Sequence, residues 1–439
     1  MSGSILLFFA KLHTLFVHQK KYLTYFVSGQ VLLQILNLFS GFFLLRWLSI
    51  EEQAKFSIAF SVQTLIVTLS DFGLTNSVMA LAGEQYNNNR VLAKYIYTIK
   101  RMRIFLLAGA LFVAAVLMPF FINNQSWHYT ELLLLLLPVM AAAFWQIDMG
   151  LYTAPLALHK KMKEFYQPQI VLTVLKLFGT FCLYLAGWIN AFWVLLMNAL
   201  ILLWNGKRFY FFGKPFLLDE SGTAFQFSEQ EYRETRTEVL RYIKPLAVGI
   251  LFNAFYNQLQ IFIIAYFGKT QNIAEVAALG RLGQVYMFLN AFASVIVSPF
   301  ISKATMANLF KKYILVLLLS VSAALSLFFM AWFFPNAFLW LLGSKYSHLE
   351  KELPYMMLNA SIGFVGTIFF VMHSARKWIF WKMTWLYIIT IVSSQIAGAC
   401  IFNIATTLGV LKMSLLTTVS MLIVHFSTLA LGIKHEASK

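Results

Sequence analysis

The sequence predicts an all-α polytopic membrane protein of about twelve transmembrane helices, arranged as two halves of six. Three observations carry that expectation. Hydrophobic residues make up 60% of the 439 residues and the mean hydropathy is +0.72, which excludes a soluble domain. Twelve apolar stretches are each long enough for a hydrocarbon core about 30 Å thick, which takes roughly 20 helical residues. Lysine and arginine collect in every second connection, while the intervening connections are nearly bare. Cytoplasmic loops show that bias.

The first six stretches are 22–48, 56–80, 104–122, 131–156, 165–187 and 190–205. The second six are 241–267, 273–300, 313–342, 353–375, 383–402 and 407–433. One side receives Lys11, Lys20 and Lys21 of the N-terminal arm, the residues from Arg90 to Arg103, and Lys160, Lys161 and Lys163. It also receives those from Lys207 to Lys244, Lys303 to Lys312 and Arg376 to Lys382, and the tail. The other side has only Arg46, Lys55, Lys269, Lys345 and Lys351. The basic side is therefore expected to be cytoplasmic, with both termini on it.

The expected domains are an N-terminal arm (1–21), a first lobe (22–205), a cytoplasmic linker (206–240), a second lobe (241–433) and a short tail (434–439). The arm contains the apolar run Ile5–Ala10 and no small-residue cleavage site, so it reads as interfacial rather than as a removed signal. The linker carries Lys207-Arg208, a turn at Gly213–Pro215 and a stretch from Ser228 to Arg241 with interspersed charge. That stretch suits a short solvated helix.

The net charge of +17 is spread over five basic connections and both ends. It fits membrane orientation and anionic lipid headgroups rather than nucleic acid. Cys182 and Cys400 both fall mid-helix and suggest neither a disulfide framework nor a metal site. The chain has no phosphate loop of the G-x-x-x-x-G-K-[ST] type, no zinc spacing and no nucleophile elbow. No enzymatic activity and no cofactor are expected.

Polar residues inside the spans are the candidates for function. Gln30, Gln34 and Asn37 lie at i, i+4, i+7 on the first span. Asn253, Asn257 and Gln260 repeat that spacing on the seventh. Each trio forms one polar stripe on an apolar helix, and the repetition suggests a six-plus-six parallel repeat with a site between the halves. Cavity lining is one reading of the stripes; hydrogen bonding between helices is the other.

Five ionisable residues lie at membrane depth: Asp71, Asp148, Lys176, Arg281 and Lys412. Each costs about 2.5–3.5 kcal/mol on insertion scales, so each must pair or face water. Arg281 and Lys176 suit a shared grip on a phosphate group, the guanidinium bidentately and the ammonium as a point charge. Lys412, near an outer helix end, either joins them or snorkels. Arg46 closes the first span as an interface anchor or a headgroup contact. Asp71 is expected to be structural: Gly73 allows close helix approach, and one reading pairs Asp71 with a cation of the neighbouring lobe. Asp148, in a helix bracketed by Pro138 and Pro155, is the candidate for coupling to an ion gradient. Glu275 and His425 are weaker candidates, and His373 is placed at the cytoplasmic interface. Phe252, Phe255 and Tyr256 flank the polar stripe of the seventh span and are candidates for stacking on sugar rings.

Two regions carry a family resemblance. Gly41-Phe-Phe-Leu-Leu-Arg-Trp-Leu-Ser-Ile-Glu-Glu-Gln-Ala-Lys-Phe56 and Ser70-Asp-Phe-Gly-Leu74 resemble the start of the Wzx-type polysaccharide flippases. Those belong to the superfamily (MOP) that also holds the lipid II flippases and the MATE exporters. Ala277-Ala-Leu-Gly-Arg-Leu-Gly283 and Ser298-Pro-Phe-Ile-Ser302 resemble the family's "Y-x-x-A-x-[RK]" and "P-x-[IL]-S" elements. Where the family usually has Gly-x-Tyr before the first of these, this chain has Glu275-Val-Ala277.

The resemblance implies two six-helix lobes in a V around a central cavity, a MATE-like plan. It implies a substrate as well: an oligosaccharide on polyprenyl pyrophosphate, moved from the cytoplasmic to the outer leaflet of a bacterial inner membrane. The partners expected are that glycan, membrane lipids, H+ or Na+ as coupling ion, and polysaccharide polymerase machinery. The alternatives are a MATE-like antiporter exporting small organic cations, and a membrane enzyme or assembly partner in polysaccharide synthesis.

Overall fold

The computed structural model describes residues 20–121, 125, 127–304, 306–378 and 380–437. Most of the N-terminal arm, with Lys11 and the Ile5–Ala10 run, lies outside the described residues. The long elements are all helices: α1 (Lys20–Trp47), α2 (Ile50–Asp71), α3 (Leu74–Ala82), α4 (Asn89–Leu117), α5 (Tyr129–Leu158), α6 (Met162–Leu185), α7 (Ala191–Gly213) and α8 (Glu229–Ile243). They continue with α9 (Ala247–Tyr256), α10 (Leu259–Phe267), α11 (Thr270–Ser302), α12 (Met306–Phe333), α13 (Pro335–Leu342), α14 (Leu353–Ala375), α15 (Trp381–Ile401) and α16 (Thr407–Ala437). An isolated antiparallel bridge, Leu218 with Ala224, is the only β pairing among the described residues.

Each of the twelve expected stretches is occupied by a helix or a broken helix. Among the described residues, nine helices are long and apolar enough to cross a membrane, or ten if the bent pair α9 and α10 counts as one span. Large apolar side chains such as Phe105, Phe112, Leu137 and Phe178 are exposed, as lipid-facing surface requires. Cys182 and Cys400 are both exposed free thiols.

Three expected spans are broken; the ninth, 313–342, is split at Phe334 between α12 and α13. The second ends at Asp71, because Phe72 and Gly73 both take left-handed backbone (φ 46° and 77°) before α3 begins. Glycine suits the positive φ there, and α9 lies close by, with Ile250 Cδ1 2.8 Å from where a Cβ would stand. The seventh span bends by 44° between α9 and α10.

The third span is longer than expected. The helix starts at Asn89, so Arg90, Lys94, Lys100, Arg101 and Arg103 are helical rather than parts of a loop. The linker is also more structured than a solvated connection. α7 runs on to Gly213, and α8 begins with a capping box in which Ser228 and Glu231 satisfy each other's backbone N–H. α8 docks on α4 through Arg90–Glu231 (3.0 Å), Arg101–Glu229 (2.6 Å) and the Tyr95 hydroxyl donating to Glu238 (2.7 Å). Tyr232, Thr235, Val239 and Ile243 of α8 are buried beneath it.

Two compact units emerge. The first holds Trp47–Tyr266 with Ile35–Ser40; the second holds Phe267 onward with Gly41–Arg46 and the chain up to Gln34. Compared with lobes of 22–205 and 241–433, the grouping differs at the first and seventh spans, for local reasons. α9 is tied to the α2–α3 break by Ile250, and α10 by Gln125 donating to the Ala265 carbonyl at 3.1 Å and by Phe262 stacked on Phe121. The end of α1 is tied to α13: the Arg46 guanidinium lies 4.5 Å over the Trp340 ring and donates to the Trp340 carbonyl.

The first unit is centred on Leu74, Val78, Leu92, Ile96, Ile99, Leu151, Phe209 and Val239, which join α3, α4, α5, α7 and α8. The second is centred on α14, which packs against α11, α12 and α16. Tyr313, Phe369 and Trp378 are among its largest fully buried side chains.

Candidate functional site

The charges within the helices sort into paired and unpaired sets. In the first unit, Asp71 is paired. Arg103, with 4% of its side chain exposed, donates to Asp71 and to the Thr75 hydroxyl through Nη2, and to the Ile147 carbonyl through Nη1 at 2.7 Å. The Thr75 hydroxyl donates in turn to Asp71 Oδ1 at 2.5 Å. The Ser-Asp-Phe-Gly element is thus a helix break whose acid holds a buried cation of its own unit. The expectation that Asp71 pairs with the neighbouring lobe is corrected by this arrangement. By sequence Arg103 is expected in a loop, because it closes a run of basic residues. The clue to its burial is that it also stands just before an apolar run on the face of Ile99 and Met102.

Asp148 lies 3.5 Å from the Lys100 ammonium. Its helix α5 runs unbroken through Pro138 and Pro155. On α2 and α5, Gln63 donates to Gln146 at 3.1 Å. Lys176 is half-buried on α6, and its carbonyl accepts from the Thr180 hydroxyl at 2.7 Å.

In the second unit, Arg281 differs from all of these. It is half-buried in the middle of α11, flanked by Leu279 and Leu282, which are buried. Among the described residues it makes no hydrogen bond and no ion pair. Its stem passes α1 at Gly41, where an added Cβ would meet Arg281 Cδ at 3.3 Å and Nη1 at 3.4 Å. Glycine at 41 therefore gives the guanidinium its room. Lys412 on α16 lies 5.2 Å over the Tyr355 ring. Close by in sequence, Asn359 donates to Ser414 at 3.0 Å and accepts from Thr418 at 2.5 Å. Arg46 is committed to Trp340, and the Lys345 ammonium holds the Arg46 carbonyl at 3.0 Å. Its geometry is that of an anchor.

The polar stripes have different fates. Gln30 and Gln34 are half-buried and Asn37 is exposed on the continuous helix α1. Asn253, Asn257 and Gln260 do not share one straight helix. Asn257 is the last-turn cap of α9, the bend follows it, and Gln260 is on α10. Backbone at such a break is freed for ligands where it lines a polar space. Phe252 stacks on Tyr256 with centroids 6.0 Å apart, and Phe255 is exposed beside them.

No group of three or more potential metal ligands occurs among the described residues.

No known protein family matches the chain by sequence profile, and no curated protein matches it. Solved structures do. A multidrug resistance MATE family transporter of the MOP superfamily, inward-facing, aligns with TM-score 0.67 at 14% identity, covering 93% of this chain and 95% of that one. The lipid II flippase MurJ, in an inward closed conformation, aligns with TM-score 0.69 at 16% identity, covering 94% and 87%. A eukaryotic MATE transporter aligns with TM-score 0.52 at 11% identity over 95% and 96%. The chain therefore has the all-helical fold of these membrane proteins, as the sequence predicts.

Proposed function

We propose that this chain is a flippase of the MOP superfamily. It moves an oligosaccharide on polyprenyl pyrophosphate from the cytoplasmic to the outer leaflet of a bacterial inner membrane, by alternating access. The observation that carries the reading is Arg281, a cation within an apolar helix that no carboxylate among the described residues neutralises. Leaving a guanidinium at that depth without a partner costs several kcal/mol, so its retention calls for an anionic ligand. Pyrophosphate presents oxygens that a guanidinium grips bidentately. Lys412 and Lys176 are the further cations proposed for the same substrate, and the amides of α1, α9 and α10 are proposed to bind the glycan.

The fold by itself supports a MATE-like exporter of organic cations equally. The charge pattern favours the anionic substrate. Asp71 and Asp148 are each engaged by a cation, Arg103 and Lys100, so neither carboxylate is left over for a cationic drug.

Purified protein in liposomes tests this by leaflet transfer of a polyprenyl-pyrophosphate oligosaccharide. Wild type is expected to transfer it. Arg281→Ala is expected to lose transfer at least tenfold, about 1.4 kcal/mol or more, with an unchanged unfolding temperature. Normal transfer by the variant rejects the headgroup site. No transfer by wild type, with export of a cationic dye, selects the antiporter.

A further inference from the structure

Glu275, in the second turn of α11, is 6% exposed. Its neighbours Ile273, Ala274, Ala278 and Leu279 are fully buried. Three side-chain donors from three chain segments converge on its carboxylate. Gln271 Nε2 reaches Oε1 at 2.8 Å, His348 Nε2 reaches Oε1 at 2.9 Å, and the Thr407 hydroxyl donates to Oε2. Asn272 donates to Thr407 Oγ1 at 3.2 Å, closing the network. Thr407 opens α16, and His348 lies in the turn after α13.

A second observation points to a ligand there. Tyr346, two residues before His348, is 1% exposed, and its hydroxyl is buried without a hydrogen-bond partner. Burial first, and then the charge of Glu275, push its phenol well above the ordinary range, so that it stays an uncharged hydroxyl with an acceptor oxygen to spare. His348, by contrast, has 48% of its side chain exposed. The buried acid thus meets solvent through one imidazole.

The charged groups on the surrounding elements are spoken for elsewhere. Arg46 of α1 is on Trp340, Lys345 donates to the Arg46 carbonyl, and Lys412 of α16 lies over Tyr355. Glu350, Lys351 and Glu352 follow in the same turn as His348. Among the described residues no lysine or arginine pairs with Glu275.

We propose that Glu275 and His348 form a proton-binding pair on the lysine- and arginine-poor side of the protein. Its loading weakens the grip of α11 on α16 and on the turn 344–352. A proton from solution enters at His348 Nδ1, and the Nε2 proton passes along the 2.9 Å hydrogen bond to Glu275 Oε1. The imidazole ends neutral with its proton on Nδ1. The carboxyl ends neutral, and one proton has been taken up with no other bond changed. The neutral carboxyl is a weaker acceptor for Thr407, which loosens the contact between α11 and the start of α16. That the bound proton drives transport rests on the flippase reading; the site itself does not.

Infrared difference spectroscopy tests the pair on the full chain in lipid nanodiscs, stepping from about pH 8 to about pH 5, the range in which histidine ordinarily titrates. Wild type is expected to gain a protonated-carboxyl C=O stretch on acidification, and Glu275→Gln to lack it. In His348→Ala the band is expected to grow in at higher pH, because the carboxylate has lost a donor. No band in wild type, an equal band in Glu275→Gln, or an unshifted titration in His348→Ala overturns the proposal. His348→Ala alters an exposed side chain, so it decides the matter should Glu275→Gln fail to fold. No transported substrate is used, so a missing band and a failed leaflet transfer are separate results.

Discussion

Asp71 and Arg281 sit at similar depths in the sequence pattern and have opposite surroundings. Asp71 closes a break between two helices and neutralises a buried guanidinium. Removing one member of such a pair strands the other charge in a medium that solvates it poorly. Asp71→Ala is therefore expected to destabilise the protein by about 3–5 kcal/mol, read as a lower unfolding temperature in detergent. The double change Asp71→Ala with Arg103→Met is expected to recover most of it, because no uncompensated charge remains. An Asp71→Ala protein that melts with wild type would show that the pair contributes nothing to the fold. Among the described residues Arg281 has no such partner to lose, and Arg281→Ala is expected to spare stability while removing transfer. The contrast between the two variants separates structural charge from functional charge.

At the scale of elements, helix ends and close approaches decide the arrangement. α16 passes the buried ring of Trp378 at Gly432, where any Cβ would overlap the indole. Trp378 is fixed from its other edge, since its Nε1 donates to Glu436 at 3.2 Å while Arg376 grips the same carboxylate. Neither the ring nor the helix can yield cheaply. Gly432→Ala is expected to cost about 1–3 kcal/mol by overpacking, seen as a lowered unfolding temperature, whereas Gly109→Ala, with open space around it, is expected to change nothing. Equal unfolding temperatures for the two would show that α16 shifts freely against Trp378. The break at Phe72-Gly73 and the bend between α9 and α10 are element-scale features of the same kind. Each interrupts a helix; at the first, the Asp71 carboxylate accepts the Thr75 backbone N–H in place of the ladder.

For the whole molecule, the placement of charge sets sidedness. The basic connections are expected inside, with both ends of the chain. A variant carrying Cys182→Ala and Cys400→Ala removes both native thiols, and single cysteines can then be added at exposed positions. Thr237→Cys on α8 is expected to react with an impermeant maleimide only after cells are opened, and Ser347→Cys beside His348 in intact cells. The reverse pattern would invert the topology and place the Glu275–His348 pair inside.

Composition and charge spacing by themselves determined the class of this protein. Twelve apolar stretches leave few options, because backbone polar groups in hydrocarbon must bond within a helix. The charged stretch from Ser228 was legible as a helix for a similarly local reason, the capping box. The partners of the intramembrane charges were not legible. Arg103 stands 32 residues from Asp71 in sequence, and basic residues at the end of a loop-like run look alike whether they turn to water or inward. Nor did the spacing of Asn253, Asn257 and Gln260 reveal the bend that separates them. Glu275 stood out in sequence as a weaker candidate and as a departure from a motif. Its site exists because α11, the turn after α13 and the start of α16 meet, and the close approach of helices distant in sequence is settled by packing across the fold rather than by any periodicity along one segment.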